Sequence, residues 1–152
     1  MIKKKFINVL VLFLFLSGCG YSPIFSTKKS NFSIYEISAN GDSKLNKIIN
    51  SKLNNYKGSD SLKKFSLNIE TSLNKDVVSR DSKGNPKTFR MNLKSNVLIK
   101  NVEGNVQEKS FSKSVDYNNR SNKFELKKYE DQTSKILAEK ISDEIIVYLQ
   151  SI

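Results

Sequence analysis

Strict alternation of apolar and polar residues runs through the middle of the chain. Between positions 65 and 74 the odd residues face one side and the even residues the other, with Phe65, Leu67, Ile69, Thr71 and Leu73 on the apolar side. The same period of two returns at Phe89, Met91, Leu93, Val97 and Ile99, and again at Phe111, Val115 and Tyr117. The alternation predicts three strands, each with one buried face. Turn residues at 81–86 and 103–105 separate these strands and predict an antiparallel meander.

Helical spacing flanks this meander on both sides. Apolar residues three and four positions apart predict a helix over 43–57, which Asp42 or Ser43 would cap. A longer amphipathic helix is predicted over 122–150, with an apolar stripe formed by Tyr129, Ile136, Leu137, Ile141, Ile145, Tyr148 and Leu149. Before the first helix, a β-rich run predicts a strand over 31–39. The predicted order is therefore β-α-β-β-β-α.

This order predicts an α+β fold, a two-layer sandwich. Both helices pack on one face of a four-stranded, mainly antiparallel sheet, because one sheet face and two helical stripes must be buried together. The other sheet face is expected to be wet, since polar residues alternate along it: Asn68, Asn74, Asn92, Lys94, Asn96 and Lys100. Leu98 and Val102 leave part of that face apolar, which favours a docking surface there.

The amino terminus has the form of a secretion signal. Three lysines at 3–5 precede an apolar run over 6–16, which is too short for the ~20 residues of a membrane-spanning helix. Leu16, Ser17, Gly18 and Cys19 follow, and they resemble the lipobox of bacterial lipoproteins. By that resemblance Cys19 becomes the first mature residue and carries lipid; the alternative is a free or buried thiol behind an ordinary signal peptide.

The resemblance to lipoproteins also implies a location and a division of the chain. Gly20, where an Asp would favour retention at the inner membrane, implies release to the periplasmic side of the outer membrane. We expect a signal peptide at 1–18, a lipidated amino terminus and tether at 19–30, and a single α+β periplasmic domain at 31–152. Several acyl chains on Cys19 would make the anchoring effectively permanent.

Composition excludes several classes of chemistry. The chain has one Cys and no His, so it lacks the ligand sets of zinc, haem and iron–sulfur sites and the triads of common hydrolases. We expect no catalytic residue, no metal and no cofactor apart from lipid on Cys19. Adjacent Glu130 and Asp131 are predicted to lie at the start of the last helix, where the helix dipole stabilises negative charge. They are not read as a catalytic pair.

The chain is strongly basic, with 26 Lys and Arg against 15 Asp and Glu. Removal of residues 1–18 takes away three lysines and no acid, so the mature charge is 23 − 15 = +8. A periplasmic location makes nucleic acid an unsuitable partner for this charge. Anionic lipid, lipopolysaccharide and an acidic protein surface remain as partners.

Several segments, taken in order, resemble the LptE family, the lipopolysaccharide-assembly lipoproteins. These are the lipobox, the β-α-β-β-β-α order, the stretch 95–101 before Gly104, the stretches 115–118 and 121–124, and Glu130-Asp131 before 137–141. The resemblance implies a non-enzymatic subunit that sits as a plug in the lumen of a large outer-membrane β-barrel translocon. It also implies that the protein helps the barrel fold and contacts lipopolysaccharide on its way to the cell surface.

Basic residues between 77 and 115 supply a candidate lipopolysaccharide site. Eight Lys and Arg stand there against three acids, which accounts for +5 of the mature charge. Lipopolysaccharide carries phosphates that Arg and Lys bind well, so the candidate residues are Arg80, Lys83, Lys87, Arg90 and Lys94. The alternative interpretation is a solvated sheet surface.

Two other functions compete with the translocon subunit. One is an accessory lipoprotein of another envelope machine, such as the one that assembles outer-membrane barrels. The other is an enzyme that modifies cell wall or lipid, which the absence of His and of a nucleophile arrangement disfavours.

Overall fold

The computed structural model describes residues 30–58 and 61–152. The predicted signal peptide, Cys19 and most of the predicted tether lie outside the described residues. Three sequential units make up the described part. The first is strand β1 (Phe32–Gly41), helix α1 (Ser43–Leu53) and a 3₁₀ turn (Asn54–Tyr56); the second is the strands β2 (Lys63–Arg80), β3 (Pro86–Asn101) and β4 (Val106–Asn118); the third is helix α2 (Lys123–Ser151). The predicted order β-α-β-β-β-α is confirmed.

The four strands form one sheet in the order β1-β2-β3-β4. Strands β2, β3 and β4 pair antiparallel, as the predicted meander requires. Strand β1 pairs parallel to β2, with a register shift between Ile34 and Glu36. Because α1 crosses over between these two parallel strands, the sheet is mixed and mainly antiparallel.

Side-chain caps fix where both helices begin. The Oδ1 of Asp42 accepts from the amides of Lys44 and Leu45 at 3.0 and 3.1 Å. Asn122 does the same for the first turn of α2. These bonds satisfy amides that have no partner inside the helix. Gly41 precedes the first cap with φ +94°, and a Cβ there would lie 2.0 Å from the Thr71 carbonyl oxygen. Only glycine fits this corner.

The core lies between the sheet and the two helices. Odd residues of β2 and β3 enter it as the alternation predicts, and Leu137, Ile141, Ile145 and Leu149 cover them from α2. Ile136 is a correction to the predicted stripe, because half of its surface is exposed. Small polar residues are buried in its place: Thr133, Ser134 and Ser142. Ser142 donates to the Ala138 carbonyl at 2.8 Å, so its hydroxyl is satisfied within the helix.

The domain has two distinct ends. We call residues 30–32, 56–57, 62–65, 100–106 and 150–152 the entry end, because the described chain begins there. Lys63 pairs with Phe32, Phe65 pairs with Asn101, and Asn31 donates to the Gln150 carbonyl, so these segments meet. We call residues 77–88 and 119–125 the hairpin end, where β2 turns into β3. Within residues 30–58 and 61–152, no helix is both long and apolar enough to cross a membrane.

Candidate functional site

The hairpin end holds three of the five predicted basic residues. Arg80 ends β2 and donates from Nη1 to the Gly84 carbonyl at 2.9 Å, Lys83 lies within the turn, and Lys87 follows it in β3. Asp81 organises the turn, because its Oδ1 accepts from the amides of Asn85 at 2.8 Å and Lys83 at 2.9 Å. The bonds from Asn85 lower the pKa of Asp81. Several hydrogen bonds therefore hold the turn that carries Lys83 and joins the strand ends of Arg80 and Lys87.

Two further basic residues join this end from the loop before α2. The Asn119 amide donates to the Lys87 carbonyl at 2.8 Å, and its side chain donates to the Pro86 carbonyl at 2.8 Å. Arg120 follows, with its guanidinium carbon 4.7 Å from the centre of the Tyr129 ring. Lys123 donates to Asn119 at 3.3 Å. Sequence reasoning missed Arg120 and Lys123, because only the pairing of β4 with β3 brings them beside Lys87.

The other two predicted residues, Arg90 and Lys94, lie elsewhere. Their strand alternation places them on the sheet face that the helices leave uncovered, which we call the open face. Arg90 makes a two-pronged ion pair with Asp116, with Nε to Oδ1 at 2.7 Å and Nη2 to Oδ2 at 2.8 Å. This bond raises the pKa of Arg90 and lowers the pKa of Asp116. The structure therefore divides the five residues into a group of three and a group of two.

The open face as a whole is close to neutral. By strand register its charged residues are Lys64, Arg90, Lys94 and Lys100 against Glu36, Glu70, Asp76, Glu108 and Asp116, a sum of 4 − 5 = −1. Ser and Asn residues fill most other positions, so the face is wet, as expected. A shallow depression around Leu98 is lined by Asn40, Asn68, Glu70, Asn96 and Glu108. The basic character of the chain is therefore not concentrated on this face.

Glu130 ties α2 to the sheet and does not cap the helix. The predicted role of Glu130 and Asp131 at the helix start is wrong, because α2 begins at Lys123 and Asn122 caps it. Glu130 accepts from the Tyr117 hydroxyl at 2.8 Å and pairs with Lys75. The pKa of Tyr117 is raised, mainly because the side chain is partly buried and also because it donates this bond to Glu130. The Lys75 ammonium also lies 4.0 Å from the centre of the Phe89 ring.

This arrangement has the character of a structural clamp. Glu130 joins Tyr117 of β4 and Lys75 of β2, so the cluster holds α2 against the sheet. Asp131 is likewise engaged, since it pairs with Lys127 at 2.8 Å and that bond lowers its pKa. Across residues 30–58 and 61–152, no group of three His, Cys, Asp or Glu side chains could hold a metal ion.

The architecture defines a class of small α+β domains that is found among bacterial lipoproteins. Rare lipoprotein B from Shewanella oneidensis superposes with a TM-score of 0.65 at 15% identity, over 78% of this chain and 95% of that one. A minor lipoprotein from Acinetobacter baumannii gives 0.60 at 12% identity, over 78% and 91%. Lipoprotein B from Nitrosomonas europaea gives 0.57 at 10% identity, over 84% and 88%.

At these identities the likeness establishes a common fold. The chain therefore has the fold of rare lipoprotein B and of these other lipoproteins. No protein-family model matches the sequence, and no curated protein sequence matches it.

Proposed function

We propose that this chain is a lipoprotein of the outer membrane, anchored on the periplasmic side through Cys19. There it plugs a large β-barrel that exports lipopolysaccharide, supports the folding of that barrel and contacts lipopolysaccharide in transit. The observation that carries the proposal is the combination of a lipobox at Cys19 with a fold shared by solved lipoproteins. The role is binding and assembly; no residue is assigned a catalytic step.

The open face supports the role of a plug. A wide barrel leaves an aqueous channel unless something fills it, and its lumen is lined with polar residues. The open face presents Ser and Asn rows, and its four basic and five acidic residues nearly cancel, so it is suited to a polar wall that carries no strong net charge. The helices already cover the other sheet face, so the domain core does not depend on the partner.

The hairpin end supports contact with lipopolysaccharide. Arg80, Lys83 and Lys87 project there beside Arg120 and Lys123, while the nearby Asp81 is used by its own turn. Phosphate groups accept well from such a group of cations. Arg90 is a weaker candidate than the sequence suggests, because Asp116 already engages its guanidinium.

Purification of the intact lipoprotein from outer membranes tests the proposal. We expect a large lipopolysaccharide-exporting barrel to co-purify with the tagged full chain, together with lipopolysaccharide. The matched control is Cys19→Ser, which should lose incorporation of labelled fatty acid and recover less barrel. Recovery of the barrel-assembly machine in place of an exporting barrel would support the rival function, and lipid incorporation by Cys19→Ser would refute the anchor.

A further inference from the structure

The entry end exposes a group of apolar side chains at three neighbouring strand ends. Leu62, just before β2, is fully exposed. Val102, just after β3, is 64% exposed, and Val106, which begins β4, is 56% exposed. The strand register places them at the same end of the sheet. Val106 of β4 pairs with Lys100 of β3, and Phe65, three residues after Leu62, pairs with Asn101, which precedes Val102. Water is an unfavourable environment for such a group, which is typical of a surface that meets a partner.

Lysines lie at the same end of the sheet, with Lys64 on β2, Lys100 on β3, and Lys57 at the outer edge of β1 opposite Ile34. Lys57, Lys64 and Lys100 are exposed, and none of them forms an ion pair with a described residue. Lys63 is engaged, because its ammonium donates to the Ile152 carbonyl. The turn carries one acid, Glu103, which accepts from the Asn105 side chain at 3.2 Å. Glu36 lies in the same row across the sheet as Lys100, and Glu108 lies one pair farther along. Lys57, Lys63, Lys64 and Lys100 thus stand against Glu36 and Glu103 at this end, a sum of 4 − 2 = +2.

The length of the tether determines which end can face a bilayer. From Cys19 to Ser30 there are 30 − 19 = 11 steps along the chain, which span at most ~40 Å when fully extended. Helix α2 has 29 residues and is about 43 Å long. The chain enters beside the carboxyl end of α2, where Asn31 donates to Gln150. Because the fully extended tether is no longer than α2, an upright domain anchored at Cys19 brings its entry end to the bilayer far more readily than its hairpin end.

We infer that the entry end docks on the anionic phospholipid leaflet in which Cys19 is anchored. Leu62, Val102 and Val106 enter the interfacial region, where partial burial of apolar side chains is favourable. Lys57, Lys64 and Lys100 lie at the headgroup phosphates, where each lysine adds an attraction that falls off within a Debye length. The inference rests on the proposed lipidation of Cys19, and it orients the hairpin end away from the leaflet.

The absence of Trp from the chain makes this orientation directly measurable. Leu62→Trp and Val106→Trp report on the entry end, and Val78→Trp and Phe124→Trp are matched exposed positions at the hairpin end. Each full-length lipidated chain is reconstituted into phosphatidylethanolamine and phosphatidylglycerol vesicles with brominated acyl chains. We expect Trp at 62 and 106 to emit at shorter wavelength and to lose most of its intensity, while Trp at 78 and 124 keeps both.

The outcomes separate this inference from the proposed function. A chain that fails to float with the vesicles overturns the anchor and this inference together. A chain that floats, with no quenching at 62 and 106 or with equal quenching at 78 and 124, overturns the orientation and leaves the anchor standing.

A pair of lysine variants tests the electrostatic part. Lys64→Gln with Lys100→Gln should weaken the quenching at position 106, because an anionic surface favours each lysine by about fivefold. The control pair, Lys128→Gln with Lys135→Gln, removes the same charge from exposed positions of α2. Equal weakening by both pairs would show that only the net charge matters and would contradict headgroup contact at the entry end.

Discussion

The entry end and the hairpin end both pack aromatic rings into the core, but the hairpin end also leaves one exposed. At the entry end Phe32 is buried and stacks on Tyr56 with ring centres 5.1 Å apart, and Phe65 packs beside them. At the hairpin end Phe124 is 78% exposed, and Val77 and Val78 are also exposed. Next to the hairpin end, Phe89 and Tyr129 pack on Tyr117 with ring centres 5.7 and 5.5 Å away. Aromatic packing therefore closes the core near both ends, and the turn beyond it is held by its own hydrogen bonds.

Because of this difference, changes to exposed residues of the hairpin end should affect ligand binding more than the stability of the fold. Buried aromatic packing fails when a side chain is truncated, whereas exposed charges on a hairpin can change at little cost to the fold. The hairpin end can therefore carry cations for a ligand without weakening the core. Four predictions test this division, in order of decreasing effect.

The largest difference is expected between two phenylalanines. Phe32→Ala should lower the free energy of unfolding by ~3–5 kcal/mol, because it removes a fully buried ring and leaves a cavity. Phe124→Ala, at the exposed position, should change it by less than ~0.5 kcal/mol. Urea unfolding of both variants measures this. Comparable losses would mean that Phe124 is packed as tightly as Phe32, against its exposure in the structure.

The clamp between sheet and α2 should show the next effect. Tyr117→Phe removes the bond to Glu130 and should cost ~1–2 kcal/mol. Because the folded state raises the pKa of Tyr117, its contribution is present below the ordinary tyrosine pKa of ~10 and is lost as the pH rises above it.

Unfolding at neutral and alkaline pH measures this dependence. The Tyr117→Phe variant should lose less stability in alkali than the parent does. Tyr35→Phe is the control, since Tyr35 is half exposed on β1. An alkaline loss that is unchanged in Tyr117→Phe would assign the effect to another group.

Binding of lipopolysaccharide should distinguish the two groups of basic residues. Replacing Arg80, Lys83 and Lys87 by Gln should weaken binding about tenfold, at ~0.5 kcal/mol for each exposed contact. The variant of Arg90 and Lys94 should lose less, since Asp116 already pairs with Arg90. Binding should also fall as salt rises, because charges are screened over ~8 Å at physiological ionic strength. Unchanged binding in both variants would leave the cations a solubilising role.

The smallest effect is expected from Arg90 itself. Its ion pair with Asp116 is exposed, so Arg90→Gln should barely move the unfolding midpoint at neutral pH. Because Arg90 lowers the pKa of Asp116, the pair stabilises the fold above the ordinary Asp pKa of ~3.9 and is lost as the pH falls through the lowered value. Acid unfolding should therefore be slightly less steep in the variant. A large loss at neutral pH would contradict a dispensable surface pair.

Much of the fold follows from periodicity, and its exceptions have physical causes. Alternation over 65–73 and 89–99 predicts the strands and their buried faces, and the structure confirms both. The extension of β2 through Val77 to Arg80 shows no alternation, because neither of its faces is covered there. Backbone pairing with β3 maintains it. Ile136 precedes Leu137 by one residue and so points about 100° away from it, which places it in solvent.

The candidate site was less predictable than the fold. Arg80 to Lys94 are close in sequence and suggest one cluster, but residues on a strand alternate between faces. Arg90 forms an ion pair with Asp116, which is 26 residues away. The Lys87 carbonyl accepts a hydrogen bond from the Asn119 amide in the loop before α2. Such contacts depend on the register of β3 with β4, which composition does not encode. Cys19 is readable from its local motif alone, and it remains a prediction outside the described residues.

Depletion of this protein in living cells tests the central claim most directly. The measurement is the amount of folded exporting barrel in the outer membrane, together with lipopolysaccharide labelled at the cell surface. We predict that both fall on depletion, that the full chain restores both, and that Cys19→Ser restores them poorly. A depleted strain with a normally folded barrel and normal surface lipopolysaccharide would contradict the account.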